Sequence, residues 1–233
     1  MVGPNRSLMR IIEDQCRAWQ MGKQQAAPPV AGPQVITVSR EPGSGGKLVA
    51  AGIAKSLGYD LFHREVLHEM AKSADMNRCI METLDEKGLS VLDEWIASLV
   101  DARHLWPDRY LQHLMRVVGA IGKHGRAVLV GRGANFILPP EMRFRVRVIA
   151  PREDRIKNVS REFSVSEETA RRRVLKTESE RKAFIRKYFH ADISDPVNYD
   201  LVINTEALGL DAAVSAVIAA IAVSREQGSS IAA

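Results

Sequence analysis

The sequence predicts an α/β fold, a largely parallel sheet covered by helices on both faces, and three observations carry that reading. Short β-branched runs alternate with helical patterns along most of the chain, the pattern of right-handed βαβ units. A cluster of glycines, Gly43, Gly45 and Gly46, stands between the first such run and the helix after it. The 233 residues, 45% apolar and 26% charged, suit one α/β domain with an inserted or appended piece.

Taken in order, residues 6–23 form a short amphipathic helix with Leu8, Ile11, Ile12, Gln15 and Trp19 near one face. It reads as an appendage that mediates self-association, giving a homodimer, or that covers an apolar patch. Residues 24–34, rich in Pro, Ala and Gly, read as a linker. Val35-Ile36-Thr37-Val38 opens the core as a strand, and a helix follows over 47–57. Tyr59 to Phe62 gives a second, shorter strand. Residues 64–123 are mostly helical, with breaks near Gly88 and Pro107. Ala127 to Val130 is a buried strand ending in Gly131-Arg132-Gly133, and Phe144 to Ile149 is another, stopped by Pro151. Ser164 with Glu167 makes a capping-box pattern at the start of a long polar helix toward Phe189. Leu201-Val202-Ile203 is the last strand, and Asp211 caps the closing helix. Residues 224–233 read as a flexible tail.

Composition narrows the function classes. Two cysteines without ligand-type spacing point to a reduced, cytoplasmic setting and away from a zinc site, and scattered histidines give no metal ligand set. Charges interrupt every apolar run near the N-terminus, which argues against a signal peptide. The most apolar stretch, Leu210 to Val223, has 14 residues, short of the roughly 20 that span a bilayer. Between Arg152 and Lys187 stand 12 Lys/Arg and 7 Asp/Glu, so this segment holds the whole net charge of +5. Such a segment suits an anionic ligand, or is a solvated helix of mixed charge. Without interleaved aromatics it is not read as a nucleic-acid surface.

The glycine cluster carries the chemistry. Backbone N–H groups converging at a helix N-terminus hold phosphate, and glycines allow the close approach. Gly43-Ser44-Gly45-Gly46-Lys47-Leu48 has the strand–loop–helix setting that separates a phosphate cradle from an ordinary turn. It departs from G-x-x-x-x-G-K-[ST]: Arg40 stands at the first glycine, Gly46 at the lysine and Lys47 at the hydroxyl residue. Lys47 and Arg40 are therefore the available sources of catalytic charge.

The run Ser39-Arg40-Glu41-Pro42-Gly43-Ser44-Gly45-Gly46-Lys47 resembles the cytidylate kinase-like family of nucleoside monophosphate kinases, in the branch whose loop reads SRxxGSGG. The similarity continues through Val130-Gly131-Arg132-Gly133, Ala150 to Arg155 and Tyr199 to Thr205, and covers about residues 35–223. It implies a P-loop NTPase fold of adenylate kinase type: five parallel strands, a helical NMP-binding insertion at about 60–123 and a lid at about 155–188. It also implies transfer of the ATP γ-phosphoryl group to CMP or dCMP with Mg²⁺. In that scheme Gly43 to Leu48 hold ATP, while Arg132, Arg64 and Gly133 bind the acceptor. Lys47, Arg40, Arg173 and Arg181 are the candidate catalytic cations, with Arg155 behind them. Glu178 either orients an arginine or is a surface charge.

The family often carries an acid where this chain has His63-Arg64-Glu65, and cytidylate kinases proper have an aspartate where Gly133 stands. No Walker-B-type acid ends the strand at 127–130, so nucleotide and water would hold most of the Mg²⁺. Two readings stay open: an active nucleoside monophosphate kinase, and a regulatory nucleotide-binding module that has lost catalysis with the loop lysine.

Overall fold

The computed structural model describes residues 4–22 and 33–231; nearly all of the expected linker lies outside them. Five strands form one parallel sheet in the order β2-β3-β1-β4-β5: β1 Val35–Arg40, β2 Asp60–Phe62, β3 Ala127–Val130, β4 Arg143–Ile149 and β5 Leu201–Asn204. All residues of β1 and β3 are buried, as expected of central strands covered on both faces. Val38 pairs with Val130 on one side and Val146 on the other. The carboxyl ends of β3, β1 and β4 therefore emerge together, where the chain passes from one side of β1 to the other. Open α/β sheets bind ligands at such a switch point.

Among the described residues, nine α-helices precede or link the strands in chain order: α1 Pro4–Gly22, α2 Gly46–Leu57, α3 Arg64–Lys72, α4 Ala74–Met81, α5 Glu86–Ala102, α6 Arg109–His124, α7 Ala134–Ile137, α8 Arg152–Phe163 and α9 Glu167–Phe189, while α10 Thr205–Leu208 follows β5. The closing helix α11 spans Leu210–Ile231. On one face of the sheet, Val49 and Ile53 of α2 and Val217 and Ile221 of α11 pack on Ile36 and Val146. On the other, Leu67, Met70, Leu114, Met115 and Ile121 from α3 and α6 cover Leu129. A third, small cluster joins α8 to α9 through Ile156, Val159, Ala170 and Val174. The far end of α9 belongs elsewhere: Ile185 and Phe189 enter the α3–α6 core. One 23-residue helix thus links the cationic segment to the helical insertion.

Local chemistry corrects several boundaries. The break expected at Gly88 falls at residues 82–85, because Asp85 caps α5 by accepting from the Gly88 N–H at 2.8 Å. Ser166, not Ser164, caps α9, accepting from the Thr169 N–H. Ser164 instead ends α8 in the left-handed conformation, φ 51°. Asp211 lies within the first turn of α11 rather than at its cap, where a carboxylate still complements the helix dipole. That helix continues through Ile231, so a tail beginning at residue 224 is replaced by helix.

The buried face of α1 is Ile12, Cys16 and half-buried Trp19. Trp19 stacks on His124 with ring centroids 4.3 Å apart, and Gln15 donates to Asp60 at 2.9 Å. Ile11 is 53% exposed, since successive helical residues turn by about 100° and only the 12/16/19 row meets the core. The Leu8 side chain lies outside the described residues. Among the described residues, no helix is long and apolar enough to cross a membrane.

Candidate active site

Between β1 and α2 the chain makes a tight loop whose carbonyls are turned back and held. The Ser44 hydroxyl, fully buried, donates to the Glu41 carbonyl at 2.9 Å and the Val148 carbonyl at 3.3 Å. Asn158 donates to the Gly43 carbonyl at 2.9 Å, and Thr205 to the Ser44 carbonyl at 2.7 Å. Glu41 accepts from the Ala150 N–H at 3.2 Å and pairs with Arg155 at 3.2 Å. With its carbonyls clamped, the loop leaves the N–H groups that open α2 free of helical partners. These border a cleft of about 850 Å³ lined by Gly43 to Leu48, α8, α9 and the Thr205–Leu210 segment. Lys47 and Leu48 are exposed on its wall.

The departure from the standard loop pattern has a steric logic. A Cβ at Gly46 would lie 2.5 Å from the Arg40 Cβ, and one at Gly131 would collide with the Arg40 guanidinium. Arg40 thus replaces the first glycine only because Gly46 and Gly131 leave room for its stem and head. The exchange moves positive charge from the helix start to the strand end. There Arg40 is buried, and desolvation with the charges of Arg181 and Arg64 pushes it down to about 9.

Beyond Arg40 lies a second cavity of about 210 Å³, lined among others by Arg64, Arg132, Gly133, Asn135 and Phe184. Arg40 and Arg181 border both spaces. Arg181 donates to the Arg40 carbonyl at 2.6 Å, and burial pushes it down to about 10. Arg132 takes a left-handed backbone, φ 54°, and its guanidinium lies 5.2 Å over the Phe184 ring. Burial lowers it as well, as do the neighbouring charges of Arg64. The Nε atoms of Arg40, Arg132 and Arg181 are buried without hydrogen-bond partners. Three desolvated cations with free donors form a strong anion site. Glu65, whose carboxyl is held low, against the opposing cost of burial, by its own backbone N–H and by the charges of Arg64, Lys47 and Arg40, supplies countercharge nearby. It pairs with Arg64 at 3.2 Å.

The structure therefore gathers Arg40, Arg64, Arg132, Gly133 and Arg181 around one cavity and the loop residues around its neighbour. Arg173 is placed apart, lining only the larger cleft and lying 4.1 Å over the Phe163 ring. Arg155 is a support, not a free lid cation: it is buried and donates to the Ala150 carbonyl at 2.9 Å. Glu178 is no surface charge, for it bridges Arg155 at 3.4 Å and Lys182 at 3.2 Å. Arg171 and Arg172 pair outward with Glu153 and Glu168. At Gly133 a Cβ would strike the Phe189 ring, so packing by α9 excludes an aspartate there. Sequence reasoning missed Glu41, Asn158 and Thr205. Glu41 adjoins the glycines and was visible; Asn158 and Thr205 lie 115 and 161 residues from the carbonyls they hold.

The model of the cytidylate kinase-like family matches residues 35–207. A cytidylate kinase of Natronomonas pharaonis is 28% identical over 197 residues, 83% of this chain and 94% of the relative. That of Ignicoccus hospitalis is 26% identical over 183 residues, 78% and 96% of the two chains. Among solved structures, an uncharacterized protein from Eubacterium ventriosum is similar at a TM-score of 0.62 and 23% identity, covering 80% of this chain and 97% of its own. That last similarity bears on the fold alone. With the loop, the arginine cavity and the family match over residues 35–207 in agreement, the chain belongs to the cytidylate kinase-like family.

Proposed function

We propose that the protein transfers the γ-phosphoryl group of ATP to a (d)CMP-like nucleoside monophosphate. The observation that carries this reading is the pair of adjoining cavities with Arg40 and Arg181 on both. ATP fits the larger cleft, its phosphates against the N–H groups of the loop and Lys47. The acceptor phosphate fits the smaller cavity, gripped by Arg132 and Arg64. Arg40 and Arg181 then face the phosphoryl group in transit. Phosphoryl transfer needs positioning and charge more than covalent help, so buried arginines suffice as the protein's contribution.

ATP would bring Mg²⁺ with it, to neutralise phosphate charge. At the loop the Ser44 hydroxyl donates inward and the Glu41 carboxylate is paired with Arg155, so the nucleotide and water would hold most of that ion. Among the described residues no three His, Cys, Asp or Glu side chains converge. The regulatory-module reading draws on the displaced loop lysine. The second cavity weighs against it, because an ATP sensor has no need for an acceptor-phosphate site.

ADP formation from ATP and Mg²⁺ over a panel of nucleoside monophosphates tests the proposal, with turnover expected for CMP or dCMP. Micromolar ATP binding without turnover of any acceptor would overturn it in favour of the module. Arg40→Ala is expected to lower kcat more than Lys47→Ala, because only Arg40 borders both cavities.

A further inference from the structure

Apolar side chains pin the helix α9 near its two ends but not in its middle. Ala170 and Val174 pack on Ile156 and Val159 of α8, while Ile185 and Phe189 enter the α3–α6 core. From Leu175 to Ala183 no residue of the helix is buried. That stretch nevertheless carries Arg181, which borders both cavities. Two polar contacts tie it toward the phosphate loop: Arg181 donates to the Arg40 carbonyl at 2.6 Å, and Glu178 pairs with Arg155 at 3.4 Å. The first is made by the group that would act on phosphate. The second is independent of it.

Charge makes the second contact necessary. Burial and the like charges of Arg64 and Arg147 push Arg181 down, and Arg181 in turn pushes down Arg40. Cations so placed repel one another and drive the middle of α9 away from the loop. Glu178 opposes that drift. Against the cost of burial, its hydrogen bond to Lys182 and the charge of Arg155 hold its carboxyl below the usual carboxylate range. Arg155 is itself fixed, pairing with Glu41 at 3.2 Å and donating to the Ala150 carbonyl at 2.9 Å. Its backbone also lies against the loop, since a Cβ at Gly43 would strike its carbonyl. A run of alternating charge therefore leads from Glu41, beside Arg40, through Arg155 to Glu178. Residues three apart on a helix are neighbours, so Glu178 anchors the turn that presents Arg181.

We propose that Glu178 is a positioning residue: through Arg155 and Glu41 its carboxylate holds the middle of α9 against the loop and aims Arg181 at the phosphoryl group in transit. Glu178 lines neither the larger cleft nor the smaller cavity, so it acts through Arg181 and not on a ligand. The inference rests on the kinase reading for what Arg181 acts upon, whereas the placement of Arg181 is readable without turnover. Loss of the anchor should appear in kcat more than in KM, because the loop N–H groups and Arg132 stay where they are.

The test compares wild type with Glu178→Gln, Glu178→Ala, Arg181→Ala and the double variant Glu178→Ala/Arg181→Ala. Lys182→Ala is the control for the outward pair. kcat and KM are measured with ATP and CMP. Labelling of Arg181 by phenylglyoxal is followed by mass spectrometry, with Arg132 as the internal reference. A misplacement of about 1 Å costs about 10²-fold, so Glu178→Ala is expected to lower kcat about 10²-fold, with both KM values within about threefold. Glu178→Gln, which keeps the shape without the charge, should lose about tenfold. In the double variant the loss should exceed that of Arg181→Ala by no more than about twofold, because the two side chains work as one unit. Lys182→Ala should match wild type. Arg181 should be labelled about tenfold faster in Glu178→Ala, with Arg132 unchanged, as the anchor of a coupled pair is lost. Additive losses in the double variant, or equal acceleration at both arginines, would reduce Glu178 to general support of the fold and overturn the inference, leaving the kinase reading intact. Wild type that binds ATP but phosphorylates no acceptor sinks the kinase reading. Labelling then decides the role of Glu178, which stands if Arg181 alone is unmasked and falls if its rate does not change.

Discussion

The phosphate loop and the smaller cavity lie side by side at the carboxyl end of the sheet and differ in how completely the chain satisfies itself. In the loop, the carbonyls of Glu41, Gly43 and Ser44 each accept from a side chain, and the one buried hydroxyl is doubly engaged. In the cavity, Arg40, Arg132, Asn135 and Arg181 each keep a buried nitrogen without a partner. A buried donor left unmade costs about 1–3 kcal/mol. The loop is therefore a shape that folding completes, while the cavity, on the reading proposed above, is one that a ligand would complete. An arginine already stripped of water would then act on a phosphoryl group without reorganising.

The largest test of this contrast is Arg181→Ala. Arg181 borders both spaces and holds the Arg40 carbonyl. An arginine acting on the transferring group is worth about 10³-fold or more, so kcat with ATP and CMP is expected to fall about 10³-fold. Arg181→Lys should recover only part of the loss, because an ammonium cannot reproduce the planar fork. A fall of less than tenfold for the alanine variant would mean that the shared wall of the two cavities is not where transfer occurs.

The two regions also differed in how much the sequence disclosed. The loop was legible because Gly43 to Lys47 are contiguous and sit between a β-branched run and a helix. The order of elements and the strand at Ala127–Val130 were legible for the same local reason. The cavity comes from β1, α3, the β3–α7 turn and α9, brought together by the strand order. Arg132 and Arg64 could be named through a family resemblance, but no spacing pointed to Asn135. Nor could periodicity say which arginines of α8 and α9 face inward. Arg181 does, while Arg155 is fixed by Glu41 and Glu178 behind the loop. The reason for glycine at position 46 was equally hidden, since it depends on the Arg40 side chain arriving from the strand.

Arg132→Ala separates the regions more narrowly, because Arg132 lines the smaller cavity and not the larger cleft. Loss of a charge-assisted contact of about 1.5–3 kcal/mol raises the CMP KM by roughly 10- to 150-fold. ATP affinity, read by calorimetry, should stay within twofold. Equal losses for ATP and CMP would show that the two spaces form one site rather than two adjoining ones.

Ser44→Ala probes the completed side of the comparison and carries the smallest expected effect. If the hydroxyl serves the loop rather than a metal ion, its removal takes away bonds to the Glu41 and Val148 carbonyls and little else. Thermal or denaturant unfolding should then report a loss of about 1 kcal/mol, with kcat and the Mg²⁺ dependence changed by no more than a few-fold. A collapse of kcat that higher Mg²⁺ restores would place the hydroxyl on the ion. It would require the Ser44 side chain to turn outward from both carbonyls when nucleotide binds, and the loop would then be completed by its ligand just as the cavity is.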